Sequence, residues 1–228
     1  GTVDAVKKGK WKVKVKALKQ SRKGPAAARN LGARNAGGEI FAFTDADCIA
    51  PRGWISNILN AYKKFPKIVG VGGLLQPSKN NIFSRIEIAK NKKLHKMGSR
   101  VIVGREEVPV GFTNNMSYKA HIFHKFKGFD ERFGKPAGED FDLKQRICKA
   151  GYKVAFVPNP IIHMEDYDLG YMLRQILKRG TSKKLTKMSN SRMILEVIRS
   201  FPEIIFTVTK KSRGYKKAYR GEYGNKRK

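Results

Sequence analysis

Acidic residues are scarce in this chain: 18 Asp and Glu stand against 49 Lys and Arg among 228 residues, a formal net charge of +31. Such an imbalance predicts attraction to polyanions, whether nucleic acid, anionic lipid headgroups or phosphorylated substrates, and does not choose among them. Cysteine is almost missing. Cys48 and Cys148 are too few for a disulfide framework and lack the paired spacing of a zinc site, so a reducing cytosol is the expected home. Long apolar runs are also missing. The best candidate, Met193 to Val208, is broken by Glu196, Arg199, Pro202 and Glu203, short of the ~20 residues that a membrane span needs. There is no internal repeat, no initial Met and no signal peptide, and Gly1-Thr2-Val3-Asp4 reads as the start of a helix.

What is present, 40% hydrophobic residues in a chain of this length, suffices for one compact α/β or α+β domain with a full core. From Trp11 the sequence alternates, with Trp11, Val13, Val15 and Ala17 on one side and Lys12, Lys14 and Lys16 on the other, which predicts a half-exposed strand. A helix follows, opened by Gly24-Pro25, filled by alanines with Arg29, Asn30 and Leu31, and closed by Gly37-Gly38. Glu39 to Thr44 is a short apolar strand leading into Asp45-Ala46-Asp47. Trp54, Ile55, Ile58, Leu59 and Tyr62 recur at helical spacing, and Ile68 to Gly73 reads as a buried strand. This β-α-β-α-β order predicts a mostly parallel central sheet flanked by helices. Residues 77–107 read as a helix and a loop, Val108 to Tyr118 as extended, Phe141 to Ala150 as a helix stopped by Gly151, and Lys153 to Val157 as a further strand. Two regions result: a catalytic domain over 1–167 and a basic amphipathic helical region with a polar tail over 168–228.

Three places carry chemistry. Asp45 and Asp47 stand two apart after a hydrophobic strand, so that both carboxylates can face one side at a sheet edge, a site for hard cations such as Mg²⁺ or Mn²⁺. Acidic pairs after strands also serve as turn or cap residues. Asp140, after Gly138 and Glu139 and before a helical run, lies where a helix dipole favours the ionised form, and such a carboxylate can accept a proton from a hydroxyl; it can equally be a helix cap. His163, after the turn Pro158-Asn159-Pro160, offers an imidazole to the same metal or plays a structural part. His121 and His124 are assigned to exposed surface.

Taken together and in order, these pieces resemble the family-2 nucleotide-sugar glycosyltransferases, over Gly1 to about Leu185. Gly24 with Ala28-Arg29-Asn30-Leu31-Gly32 resembles the "G…ARN.G" helix of that family, and Phe43-Thr44-Asp45-Ala46-Asp47 resembles its DXD strand. Pro51 and Trp54 fall in the usual places. Asn115-Met116, Gly128-Phe129-Asp130-Glu131-Arg132-Phe133 and Gly138-Glu139-Asp140-Phe141-Asp142-Leu143 resemble its acceptor-side block, followed by Arg146-Ile147, Gly151-Tyr152 and His163. The resemblance implies a GT-A fold that binds a nucleotide-sugar donor with Mn²⁺ or Mg²⁺ and serves a glycan or lipid-linked acceptor. It implies Asp45 near the ribose and the metal, Asp47 and His163 as metal ligands, Asp140 as catalytic base, and Arg29 beside the nucleotide. One base and no dedicated nucleophile fit a single in-line displacement with inversion.

Two departures from the family pattern carry expectations of their own. The apolar strand and the Asp-Asp-x-Ser-x-Asp motif that open the family are not in this sequence, so the base-binding half is expected to be missing. Nor does a Gln-x-x-Arg-Trp motif occur, which implies transfer of one sugar per encounter. Rival readings are a catalytically dead remnant of the fold and a basic nucleic-acid-binding module, the latter disfavoured because the cations are spread along the chain without a binding motif. Leu173, Ile176, Leu177, Ile194, Leu195, Val197 and Ile198 among many Lys and Arg either seat the protein on the anionic inner face of the membrane or cover the catalytic domain.

Overall fold

The computed structural model describes residues 2–21, 24–90, 100–133, 138–168, 170 and 171. The chain divides into two compact units. Within the described residues, the first comprises 2–78 and 100–165 and carries both sheets. The second comprises 79–90 and the residues from Asp166 onward, so that segment 79–90 groups with residues beyond 165 and not with the domain that surrounds it in sequence.

In the first unit, five strands form one sheet in the order β1 (Ile40–Phe43), β6 (Met116–Lys119), β3 (Ile68–Gly72), β7 (Lys153–Phe156) and β5 (Ile102–Gly104). The expected parallel sheet is realised as a mixed one. β1, β3 and β7 share a direction, but β6 runs antiparallel between β1 and β3, β5 runs antiparallel to β7, and β3–β7 is the one parallel pair in this sheet. A second, three-stranded sheet joins β2 (Cys48–Ile49), β8 (Ile161–His163) and β4 (Leu75–Pro77).

β3 lies between two partners and is buried at every position, as its uninterrupted apolar sequence requires. An irregularity between Ile68 and Gly70 offsets its alternation, so that Ile68 and Val71 share a side of the sheet while Val69 faces the other. On the first side packs helix α3 (Trp54–Lys64), whose Trp54, Ile58, Ala61 and Tyr62 are buried at helical spacing against Ile68, Val71, Ala155 and Val157. Ile55 and Leu59, at the same apolar spacing in the sequence, lie outside that stripe and are exposed. The opposite side is covered by helices α2 (Gly24–Arg34), α5 (Ala120–Lys125) and α6 (Glu139–Lys149), which bury Ala26, Ala33, Ile122, Phe123, Leu143 and Ile147 against Phe41, Val69, Val154 and Phe156. Each of the Val, Leu, Ile and Phe side chains among these contributes about 1.5–3 kcal/mol on full burial, the alanines less.

The alternating stretch from Trp11 to Ala17 does not form a strand. It bends at Lys12 and Val13 and enters neither ladder, and Trp11, Val13 and Val15 are exposed. Alternation sets which side chains share a face; a strand also needs a neighbour for its N–H and C=O groups. The remaining described helices are α1 (Thr2–Lys8) in the first unit and α4 (Ile82–Lys90) in the second, where Phe83 packs on Tyr167 and Tyr171.

A buried amide ties the two sheets. Asn115 Nδ2 donates to the carbonyls of Leu74 (2.8 Å) and Asn159 (2.7 Å), and its Oδ1 accepts from the Trp54 indole N–H (2.9 Å). Gly73 makes room for this junction, since a Cβ there would stand 2.3 Å from the Asn159 carbonyl oxygen. Replacing Asn115 by Ala leaves the buried Trp54 indole N–H and the Asn159 carbonyl without these partners, at about 1–3 kcal/mol per group, while the Leu74 carbonyl keeps the Ile161 N–H (2.9 Å). The expected loss of stability is at least ~2 kcal/mol, read as a lower urea midpoint with an unchanged slope.

Candidate active site

The turn after β1 leaves Asp45 partly exposed and Asp47 exposed, and the two make different contacts. The backbone turns at Ala46 and Asp47, with the Cys48 N–H donating to the Asp45 carbonyl (3.1 Å), so the rule that residues two apart share a face does not hold here. Asp47 turns toward β8. Its Oδ2 lies 3.3 Å from Nε2 of the buried His163, and the Met164 N–H donates to the Asp47 carbonyl (2.7 Å), fixing the two segments together. The Cys48–His163 and Ile49–Ile162 pairs of the β2–β8 ladder place the imidazole beside the carboxylate. Glu165 Oε2 stands 3.9 Å from the same imidazole.

Asp47, Cys48 and His163 each offer one ligand atom within 4.8 Å of the others. The carboxylate oxygen suits Mn²⁺ or Mg²⁺, and the imidazole nitrogen favours the transition metal Mn²⁺ over the harder Mg²⁺. Burial pushes the Cys48 thiol up to about 11, so it stays protonated at neutral pH and is a poor ligand for a hard cation. Asp45, also expected as a ligand, is paired through its Oδ1 with Arg29 (3.0 Å).

Arg29 is the centre of the second half of the site. From α2 it reaches Asp45 Oδ1 with one guanidinium nitrogen (3.0 Å) and Glu139 Oε1 with the other (2.7 Å). Its guanidinium carbon also stands 6.0 Å from the centroid of the Phe129 ring. The resemblance put Arg29 by the nucleotide; here its charge is matched by two carboxylates, and it ties the end of β1 to the start of α6. α2 is held to the same region by Asn30, which pairs with the Phe129 backbone as a strand would, donating to its carbonyl (2.8 Å) and accepting from its N–H (3.0 Å).

Asp140, the second residue of α6, is half-buried. Its carboxylate accepts from the N–H of Phe141 (2.8 Å) and, more weakly, of Thr113 (3.4 Å). Burial raises its pKa above the ordinary aspartate value; the Phe141 N–H opposes the rise and the Glu139 charge adds to it. That reverses the effect expected from the helix dipole, because loss of solvent outweighs a partial charge at the helix end. The consequence is a stronger proton acceptor than an exposed aspartate.

Glu139 and Thr113 are the site residues without a role in the sequence reading. Glu139 is legible in hindsight as the acid beside Asp140, whereas nothing in the residues around Thr113 marks its N–H as a carboxylate partner. His121 and His124 are exposed, as expected, although His124 stacks edge-on to Phe41 (5.3 Å between ring centroids). The amphipathic segment from Leu173 to Ile198 lies outside the described residues. No helix among the described residues is long and apolar enough to cross a membrane.

The model of glycosyl transferase family 2 matches residues 1–126. A pre-mycofactocin glycosyltransferase of Mycobacterium tuberculosis (strain CDC 1551 / Oshkosh) is 30% identical over 152 residues, covering 61% of this chain and 30% of that protein. A dolichyl N-acetyl-alpha-D-glucosaminyl phosphate 3-beta-D-2,3-diacetamido-2,3-dideoxy-beta-D-glucuronosyltransferase of Methanococcus voltae is 23% identical over 165 residues, 69% of this chain and 50% of that protein. The chain therefore spans half or less of the length of these relatives. The crystal structure of S. aureus TarS superposes with a TM-score of 0.50 at 11% identity, covering 77% of this chain and 30% of that one, a likeness of fold alone. The mixed α/β architecture is that of the GT-A fold.

Proposed function

This chain belongs to glycosyl transferase family 2, and from that premise we propose that it transfers a single sugar from a nucleotide-diphosphate sugar to an acceptor hydroxyl, with inversion and with the help of Mn²⁺ or Mg²⁺. The observation that carries the reading is the Arg29 bridge. It joins the strand end that bears Asp45 and Asp47 to the helix start that bears Asp140, so that a donor-binding group and a proton acceptor belong to one braced site.

Asp47 and His163 would hold the cation, which when bound offsets the charge that develops on a departing diphosphate. Asp140 accepts the proton of the acceptor hydroxyl as its oxygen bonds to the anomeric carbon and the bond to the diphosphate oxygen breaks. Attack from the face opposite the leaving group inverts that carbon. A double displacement would need a second carboxylate as nucleophile, and the nearest in sequence, Glu139, is buried and committed to Arg29. The relative named for a dolichyl-linked sugar phosphate supports a lipid-linked acceptor, and the +31 charge supports residence at an anionic membrane surface.

The test is nucleotide release from a panel of UDP- and GDP-sugars with Mn²⁺. Release from at least one donor, abolished by EDTA, is expected; release that ignores EDTA, or none from any donor by folded protein, contradicts the proposal. The pH profile supplies a second prediction. Asp140 acts deprotonated, so turnover falls as pH drops through its pKa, at a higher pH than an exposed aspartate would give. Glu139→Gln removes a neighbouring negative charge, lowers that pKa, and should move the acid limb to lower pH. A limb that stays in place in the variant would show that another group sets it.

A further inference from the structure

Most of the described phenylalanines are buried or half-buried. Among the described phenylalanines, Phe112 (54% exposed) and Phe141 (51% exposed) alone present large open surfaces. Both are neighbours of Asp140. Phe141 follows it in the chain and donates its N–H to the carboxylate, and Phe112 precedes Thr113, the other N–H on that carboxylate.

One buried lysine contacts the segments that carry both residues. Lys144, one turn along α6, is 1% exposed, and its ammonium donates to the carbonyls of Glu106 (2.8 Å) and Val108, pinning the segment that leads to Phe112. The same ammonium lies 5.9 Å from the centroid of the Phe141 ring. Gly111 lies against the Lys144 stem at a φ of 128°, and a Cβ there would come within 3.3 Å of its Cδ. The stem of one buried lysine thus lies against the residue before Phe112, and its ammonium lies beside the ring of Phe141.

We propose that Phe112 and Phe141 form an aromatic platform that binds a pyranose ring of the acceptor and presents one of its hydroxyls to Asp140. This rests on the transferase reading and adds the chemical class of the acceptor group at the reacting end. Exposed aromatic rings beside a carboxylate call for a ligand that is apolar on its face and hydroxylated at its rim. A pyranose has that shape: its axial C–H groups form a flat apolar patch with weakly positive hydrogens that suit the negative face of a benzene ring, and its equatorial hydroxyls point outward. An alkyl chain offers no hydroxyl to the base, and a planar nucleobase offers no aliphatic one. The sugar attached to a lipid and a free glycan share this chemistry.

The experiment uses the full chain carrying Phe141→Trp, with the change in emission over the Trp11 and Trp54 background as the signal. Half-exposed sites accept the larger ring, and Phe112→Trp gives the same readout from the other side of the carboxylate. Methyl β-D-glucopyranoside, methyl β-D-galactopyranoside and methyl α-D-mannopyranoside are titrated singly, with sorbitol and hexanol as an open-chain polyol and an apolar control. A saturable change with at least one pyranoside but neither control is expected, weakened about 3- to 10-fold when Phe112→Ala is added to Phe141→Trp. Saturation by lipid-linked or free forms of the same sugar with equal affinity for the ring would assign the contact to the sugar alone and support the proposal. No saturable response to any pyranoside in either Trp variant, or an equal response to hexanol, would overturn it. Mn²⁺-dependent binding of a nucleotide to the unaltered chain reports on the transferase reading separately, so the two can fail independently.

Discussion

Asp140→Asn is expected to lower the transfer rate about 100- to 10,000-fold, the usual range for loss of a positioned base. Asparagine keeps the shape of the side chain, and its one carbonyl oxygen can still accept from the Phe141 N–H (2.8 Å); it gives up only the weaker contact from the Thr113 N–H (3.4 Å), so the start of α6 should not move. What it loses is the capacity to take a proton. The effect should therefore fall on kcat, with nucleotide affinity changed by less than about twofold, because an interaction made only at the transition state lowers kcat and leaves ground-state binding in place. The acid limb of the pH profile should disappear with it. Equal turnover by the variant would remove Asp140 from the base role, and a large loss of nucleotide affinity instead would make it a binding group.

Asp47→Ala should act on the opposite half of the site. Removing even an outer partner of a metal ligand costs about 10- to 100-fold in metal affinity, so loss of a direct ligand sets a floor near 100-fold for the metal-dependent part of nucleotide binding. His163 alone leaves one protein donor where two stand 3.3 Å apart. Asp47 is exposed and its carboxylate meets polar groups, His163 and Cys48, so the variant should stay folded, within about 1 kcal/mol of the parent. Asp45→Ala is a useful contrast: its carboxylate is paired with Arg29, and the consequence should pass through the bracing of α6 and not through metal affinity alone.

Helices were readable wherever one stripe of residues meets the core. Trp54, Ile58 and Tyr62 mark α3 because its buried face repeats every three or four positions, and the exposed Ile55 and Leu59 show that apolar spacing alone overstates the width of that face. β3 was readable as a buried strand for a similar reason. Its neighbours were not, because periodicity reports which face a side chain occupies and is silent on which strand lies alongside. β6, which reverses direction between β1 and β3, comes from more than forty residues further along the chain than β3. The stretch from Trp11 to Ala17 has the pattern of a strand without a ladder to join.

The site divides in the same way. Asp47 and His163 were named from separate stretches, and the β2–β8 pairing sets them side by side. The engagement of Asp45 by Arg29 depends on a turn at Ala46 and Asp47 and on a helix packed across the sheet, neither of which a two-residue spacing encodes. The raised pKa of Asp140 likewise depends on how deeply α6 packs, a property of the folded unit that a helix-start pattern does not contain.

The most direct test of the account is calorimetric titration of the purified protein with UDP and with GDP, each with and without Mn²⁺, on the parent chain and on Asp47→Ala. The account predicts binding of at least one nucleotide that requires the metal and is lost in the variant. Folded protein that binds neither nucleotide with Mn²⁺ present, or binds one equally well after Asp47→Ala, would contradict it.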